Sequence, residues 1–153
     1  MMTPDDKPLR YNEGGNVHMD FHGATDTTID FIIKNYGIDV MDQIFARVGH
    51  DVYADIRSHL LAGNVGELVK HWHHFFEREG AEFHINVKTD EVILTVSHCT
   101  AYAHVKKIAG KVSDHFCDQT IKTNHALAQG TPFAIDTEIT GPGSCRQIIR
   151  RRP

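Results

Sequence analysis

The hydrophobic pattern of this chain changes period between Phe76 and Phe83, and that change constrains the fold class most. As far as Phe76 the apolar residues recur at three- and four-residue steps; from Phe83 a two-residue step takes over. The first period lines one side of an α-helix and the second lines one face of a β-strand. Ile29, Ile32, Ile33 and Tyr36 form a first apolar face, opened by Thr25 or Asp26 as N-cap and closed at Gly37. Met41, Ile44, Phe45, Val48, Val52, Ile56 and Leu60 predict a second, longer helix, capped by Asp39 and ended at Gly63. Val65, Leu68, Val69, Trp72, Phe75 and Phe76 predict a third between Asn64 and Gly80.

Phe83, Ile85 and Val87 then alternate with polar residues. A turn at Thr89-Asp90 leads to Val92, Leu94 and Val96, so a β-hairpin is predicted. A short helix follows over 100–108, ended by Gly110. Ser113 or Asp114 caps another that runs to Ala128. Phe133, Ile135 and Thr137 read as a third strand, Gly141-Pro142-Gly143 as a turn, and 145–149 as a fourth strand. The order ααα-ββ-αα-ββ predicts an α+β fold with N-terminal helices packed on a four-stranded antiparallel sheet. Residues 1–17, with Pro4, Pro8 and Gly14-Gly15, are expected to be a flexible segment. Residues 18–153 are expected to form a single domain.

Composition narrows the partners. A net charge of −4 argues against nucleic-acid binding, which favours a basic surface. The arginine-rich run from Arg146 to Arg152 reads as a charged tail rather than an anion site. No apolar run approaches the ~20 residues that span a bilayer, so no membrane partner is expected. The first ten residues lack the apolar stretch of a secretory signal. Three cysteines are an odd number, which fits free or metal-bound thiols in a reducing compartment and a cytoplasmic address. A homo-oligomer is compatible with all of this.

Chemistry concentrates in the C-terminal half, at Cys99, His104, Cys117 and Cys145. Cys99 falls where a strand gives way to a helix. Cys117 falls in the first turn of the next helix, where the positive end of the helix dipole would favour thiolate. The spacing Cys-x4-His-x12-Cys lacks the tight knuckles of zinc fingers and ribbons. A buried free cysteine also acts as a small apolar residue, so core filling is the alternative for each. There are 12 histidines, and two further groups stand out. His18, Asp20 and His22, read as extended, would point one way and could ligate a metal or relay protons; a polar loop before a helix cap is the alternative. His71 and His74 are helical neighbours three apart, read as flanking the apolar stripe rather than binding metal. Neither a glycine-rich phosphate loop nor a Gly-x-Ser-x-Gly elbow is present.

On these residues the chain resembles the L-2-amino-thiazoline-4-carboxylic acid hydrolase-like family. The similarity runs through His22-Gly23, Ile29-Asp30-Phe31-Ile32, Tyr36-Gly37 and Phe76-Glu77-Arg78-Glu79-Gly80. It continues from Cys99 through His104 and Gly110 to Phe116-Cys117, then Ala126, Phe133 and Cys145. The three-cysteine half is also similar to 4-vinyl reductase-like domains, which are small-molecule-binding modules. The first resemblance implies a hydrolase acting on a small-molecule substrate with a cyclic or amidine-like C–N or C–S bond. Cys117 would then be nucleophile or metal ligand, and His104 acid/base or co-ligand. Cys99 and His22 would complete the site, a set that suits zinc or iron if the four converge. The second resemblance implies a non-catalytic small-molecule or metal-binding sensor. The third possibility is an interaction domain whose cysteines fill core.

Overall fold

A computed structural model describes residues 18–153. The segment 1–17, expected to be flexible, lies outside the described residues. Helix α1 (Asp20–Tyr36) starts earlier than expected, because neither Thr25 nor Asp26 serves as its cap. The Thr25 hydroxyl donates back to the Phe21 carbonyl at 3.0 Å. The Asp26 carboxylate is buried and accepts the Ser113 backbone N–H at 2.9 Å. A residue with the right chemistry for a cap has been used for a contact distant in sequence.

The expected second helix is two helices. Helix α2 (Ile38–Arg47) passes through a π-helical turn, Val48–Val52, into α3 (Ala54–Leu61). On a straight helix Phe45 and Ile56, eleven residues apart, would share a face, since that is close to three whole turns. The wide turn rotates them apart. Met41 and Phe45 pack with Ile29 of α1, while Ile56 and Leu60 join the core over the sheet. Val52, expected in the buried stripe, is exposed. Gly49 sits at the turn because a Cβ there would stand 2.7 Å from Ala126 Cβ and 2.8 Å from the Thr123 carbonyl oxygen.

Helix α4 (Gly66–Arg78) begins one residue later than a cap at Asn64 predicts, with Val65 at the N-cap position, although the Asn64 side chain accepts the Gly66 N–H at 2.7 Å. Strands β1 (Glu82–Val87) and β2 (Glu91–His98) form the expected hairpin. Helix α5 (Thr100–Ala109) follows. Helix α6 (Asp118–Ala128) starts later than Ser113 or Asp114, because 114–117 form a turn in which Ser113 Oγ accepts the His115 N–H at 3.1 Å. Strands β3 (Phe133–Gly141) and β4 (Ser144–Arg151) close the fold.

The sheet is antiparallel throughout, in the order β1-β2-β4-β3. Val92, Leu94, Val96, Phe133, Ile135 and Ile149 face a core completed by Leu60, Leu68, Trp72 and Leu127 from the helices. Each fully buried aliphatic side chain of this kind contributes about 1.5–3 kcal/mol. The arginine run is largely strand rather than tail. Arg150 bridges Glu91 at 2.9 Å and Asp136 at 3.1 Å across the outer face. Lys88 and then Arg150 hold the Glu91 carboxyl below its usual range by hydrogen bonding. Arg151 lies 4.8 Å over the Phe133 ring. Among the described residues no helix is long and apolar enough to cross a membrane.

Candidate functional site

A cavity of about 570 Å³ lies between α1, α2, α4, α6 and the central strand β4. Such a volume is in the range of small-molecule sites. Its walls are mostly apolar: Ile29, Met41, Phe45, Leu68 and Leu127, with the aromatic rings of Phe21, Tyr53, Trp72, Phe75 and Phe76. The geometry follows from the helix break described above, since the rotation at Val48–Val52 is what separates the α2 core from the sheet core. Phe21 and Ile44 are exposed, so the rim between α1 and α2 meets solvent. A second concavity of about 530 Å³ is a surface groove lined by residues 40–52 alone. It gathers no chemistry from other elements.

Two amides lie at the inner end of the cavity. Asn124 of α6 and Gln147 of β4 are only 5% and 2% exposed. Asn124 Nδ2 donates to Gln147 Oε1 at 2.7 Å and to Thr137 Oγ1 at 3.0 Å. Gln147 Nε2 has only a long contact to Cys145 Sγ, at 4.0 Å. Neither a lysine nor an arginine lines the cavity.

His22 forms part of the wall. Its Nε2–H donates to both carboxylate oxygens of Glu79, at 2.8 and 3.0 Å. The two side chains are 10% and 6% exposed. The carboxylate can only accept, so it sets the tautomer and leaves Nδ1 as the basic nitrogen. The expected cluster of His18, Asp20 and His22 is split: His18 Nδ1 stays 3.9 Å from Asp20, while His22, further along α1, turns to Glu79. His18 is exposed, and Asp20 accepts from His104 Nε2 at 3.2 Å. His104 therefore ties α5 to the start of α1. His71 also lines the cavity, with its ring edge-on to Tyr53 at 5.1 Å between centroids, while His74 is exposed.

The three thiols do come into one neighbourhood. Cys99 caps α5, its Sγ accepting the Tyr102 N–H at 3.5 Å. Its own N–H donates to the Gly143 carbonyl at 2.8 Å, which draws in the β3–β4 turn. Gly143 has φ +72, and a Cβ there would sit 3.2 Å from Tyr102. Cys145 opens β4 opposite Val96. Cys99 and Cys117 both pack on the cluster of Ala101, Val105 and Phe116.

This neighbourhood does not activate them. Burial pushes the Cys117 thiol up to about 11, with smaller contributions from Cys99, Cys145 and Asp118. The direction is opposite to the lowering expected at a helix start: Cys117 sits at the N-cap position of α6, and desolvation is the largest influence on its thiol. Burial likewise raises Cys99, against opposing N–H bonds from Tyr102 and Ala101, and raises Cys145. All three thiols are free.

Among the described residues no three His, Cys, Asp or Glu side chains are disposed to hold a metal ion. Of the expected set of Cys99, Cys117, His104 and His22, His22 pairs with Glu79 and His104 pairs with Asp20.

Sequence reasoning missed Glu79, Asn124 and Gln147. Glu79 stood inside the Phe76-to-Gly80 run, where nothing marked it as the partner of His22. The two amides carried no spacing signal at all. The chain matches no protein-family model and no curated protein.

Proposed function

We propose that this protein binds a small molecule in the cavity between α1, α2, α4, α6 and β4, as a binding or sensor module. The supporting observation is a concavity of about 570 Å³ walled by six Phe, Tyr and Trp side chains and closed by hydrogen-bonded neutral amides. Apolar walls with a few oriented polar groups are the usual composition of a ligand site. A reducing, cytoplasmic setting suits the three free thiols.

Trp72 is the one tryptophan of the chain and lies in the wall, so it reports occupancy directly. Titration with Nile red, a neutral apolar dye, is expected to quench Trp72 saturably with one dye per chain. A linear, non-saturating change would remove the reading.

One observation favours hydrolysis as a second reading. The buried His22–Glu79 pair holds an oriented imidazole at the cavity wall, and such a pair can accept a proton from water attacking a bound C–N compound. On that reading His22 is the base, and the neutral Cys117 thiol is not the nucleophile. Turnover of a 2-aminothiazoline, lost in His22→Gln and kept in Cys117→Ala, is the expected pattern. Turnover lost in Cys117→Ala and kept in His22→Gln would reverse the roles.

A further inference from the structure

We infer that the ligand is uncharged and carries a hydrogen-bond donor beside an acceptor, as a lactam or primary amide does, and that Asn124 and Gln147 read this pair. The inference deepens the cavity-binding reading and rests on it. Both side chains are more than nine-tenths buried and both line the cavity. Asn124 spends its two N–H groups on Gln147 and Thr137, and among the described residues no donor reaches its Oδ1. That oxygen is not among the sealed polar atoms, so it borders open space.

Gln147 Nε2 carries two N–H groups and directs one at Cys145 Sγ over 4.0 Å, so its second N–H is the nearby spare donor. Turning both amides over together exchanges the two roles and still leaves one donor and one acceptor. A buried acceptor without a partner costs about 1–3 kcal/mol, so a ligand that supplies the missing bond is selected over one that does not.

Charge follows from the same residues. A carboxylate only accepts, so it would oppose the free Asn124 oxygen. With neither lysine nor arginine in the lining, it would also find no permanent counter-charge. Glu79, just behind His22, adds repulsion. A cyclic amide satisfies both floor groups at once and lays its ring against the aromatic walls.

Displacement of Nile red by three two-ring probes of similar size tests this: carbostyril (a lactam), quinaldate (an anion) and naphthalene (no hydrogen bond). Carbostyril is expected to bind about tenfold more tightly than naphthalene, and quinaldate no more tightly than naphthalene. Asn124→Leu and, separately, Gln147→Met are expected to remove the lactam advantage while naphthalene binding persists. Quinaldate matching carbostyril, or carbostyril no better than naphthalene on the unsubstituted protein, would overturn the inference whatever the variants do. If neither Nile red nor naphthalene binds, the cavity reading itself falls and takes the inference with it. If both bind without a lactam preference, only the inference falls.

Discussion

The thiol neighbourhood and the amide floor share two elements, α6 and β4, and behave in opposite ways. Helix α6 has Cys117 at its entry and Asn124 within it; strand β4 supplies Cys145 and, two residues on, Gln147. The thiols are half-buried with weak polar partners, and desolvation raises all three. They act as small apolar groups that join α5 to the sheet. The amides are buried with one strong mutual bond and with hydrogen-bonding capacity left over. Burial silences an ionisable group that lacks a partner, whereas it sharpens the selectivity of a neutral one. On the proposed reading, rare residue types are therefore not where recognition is concentrated.

The contrast can be broken most forcefully at Glu79. Glu79→Leu removes the carboxylate that His22 faces inside the wall, and urea unfolding should show a loss of about 3 kcal/mol. Glu79→Gln, which keeps an acceptor, should lose less. Equal losses would mean that charge rather than hydrogen bonding holds the pair.

Gly49→Ala comes next. The added methyl meets Ala126 and the backbone of Thr123, so stability should fall by about 1–3 kcal/mol. Nile red affinity should fall with it, because the α2–α6 approach shapes the cavity. Unchanged binding would separate the cavity from that contact.

Single substitutions of Cys99, Cys117 and Cys145 to Ala should each cost about 1 kcal/mol and leave Nile red binding intact. Loss of binding in any of them would move the site toward the sulfurs.

The pH response sharpens the same point. Folding holds the Cys117 proton to about 11 against an ordinary value of 9.0, so between those values the unfolded chain has lost a proton that the folded chain keeps. Stability should therefore decline as pH rises through that window, and Cys117→Ala should flatten the decline. Iodoacetamide labelling near neutral pH should be slow in the folded protein. Rapid labelling would place a thiolate there. At the small end, Arg150→Ala on the exposed outer face should shift the unfolding midpoint least of all, and by less in high salt.

The fold was legible wherever local periodicity and packing agree. The switch at Phe83, the hairpin and the antiparallel sheet are of this kind. The break between α2 and α3 was hidden, because the stripe from Met41 to Leu60 satisfies a straight helix and only the approach of α6 to Gly49 breaks it. Asp26 was legible as a cap and serves instead as an anchor for Ser113. The place of Cys99 between strand and helix was legible. The partner of His22 was not, since it lies 57 positions away. The electrostatics of Cys117 could not be read from its helix position, because burial depends on α5 and β4 packing around it. Asn124 and Gln147 are ordinary residues by composition, and only their depth and mutual bond make them distinctive.

The most direct test of the central claim is a heteronuclear NMR titration with carbostyril, following side-chain signals. The Trp72 indole N–H and the side-chain amides of Asn124 and Gln147 should shift together along one saturation curve. The backbone amides of Val40 and Val52, on the outer groove, should stay in place. Shifts confined to that groove or to the surroundings of Cys99 and Cys117, with the Asn124 and Gln147 amides unmoved, would contradict it.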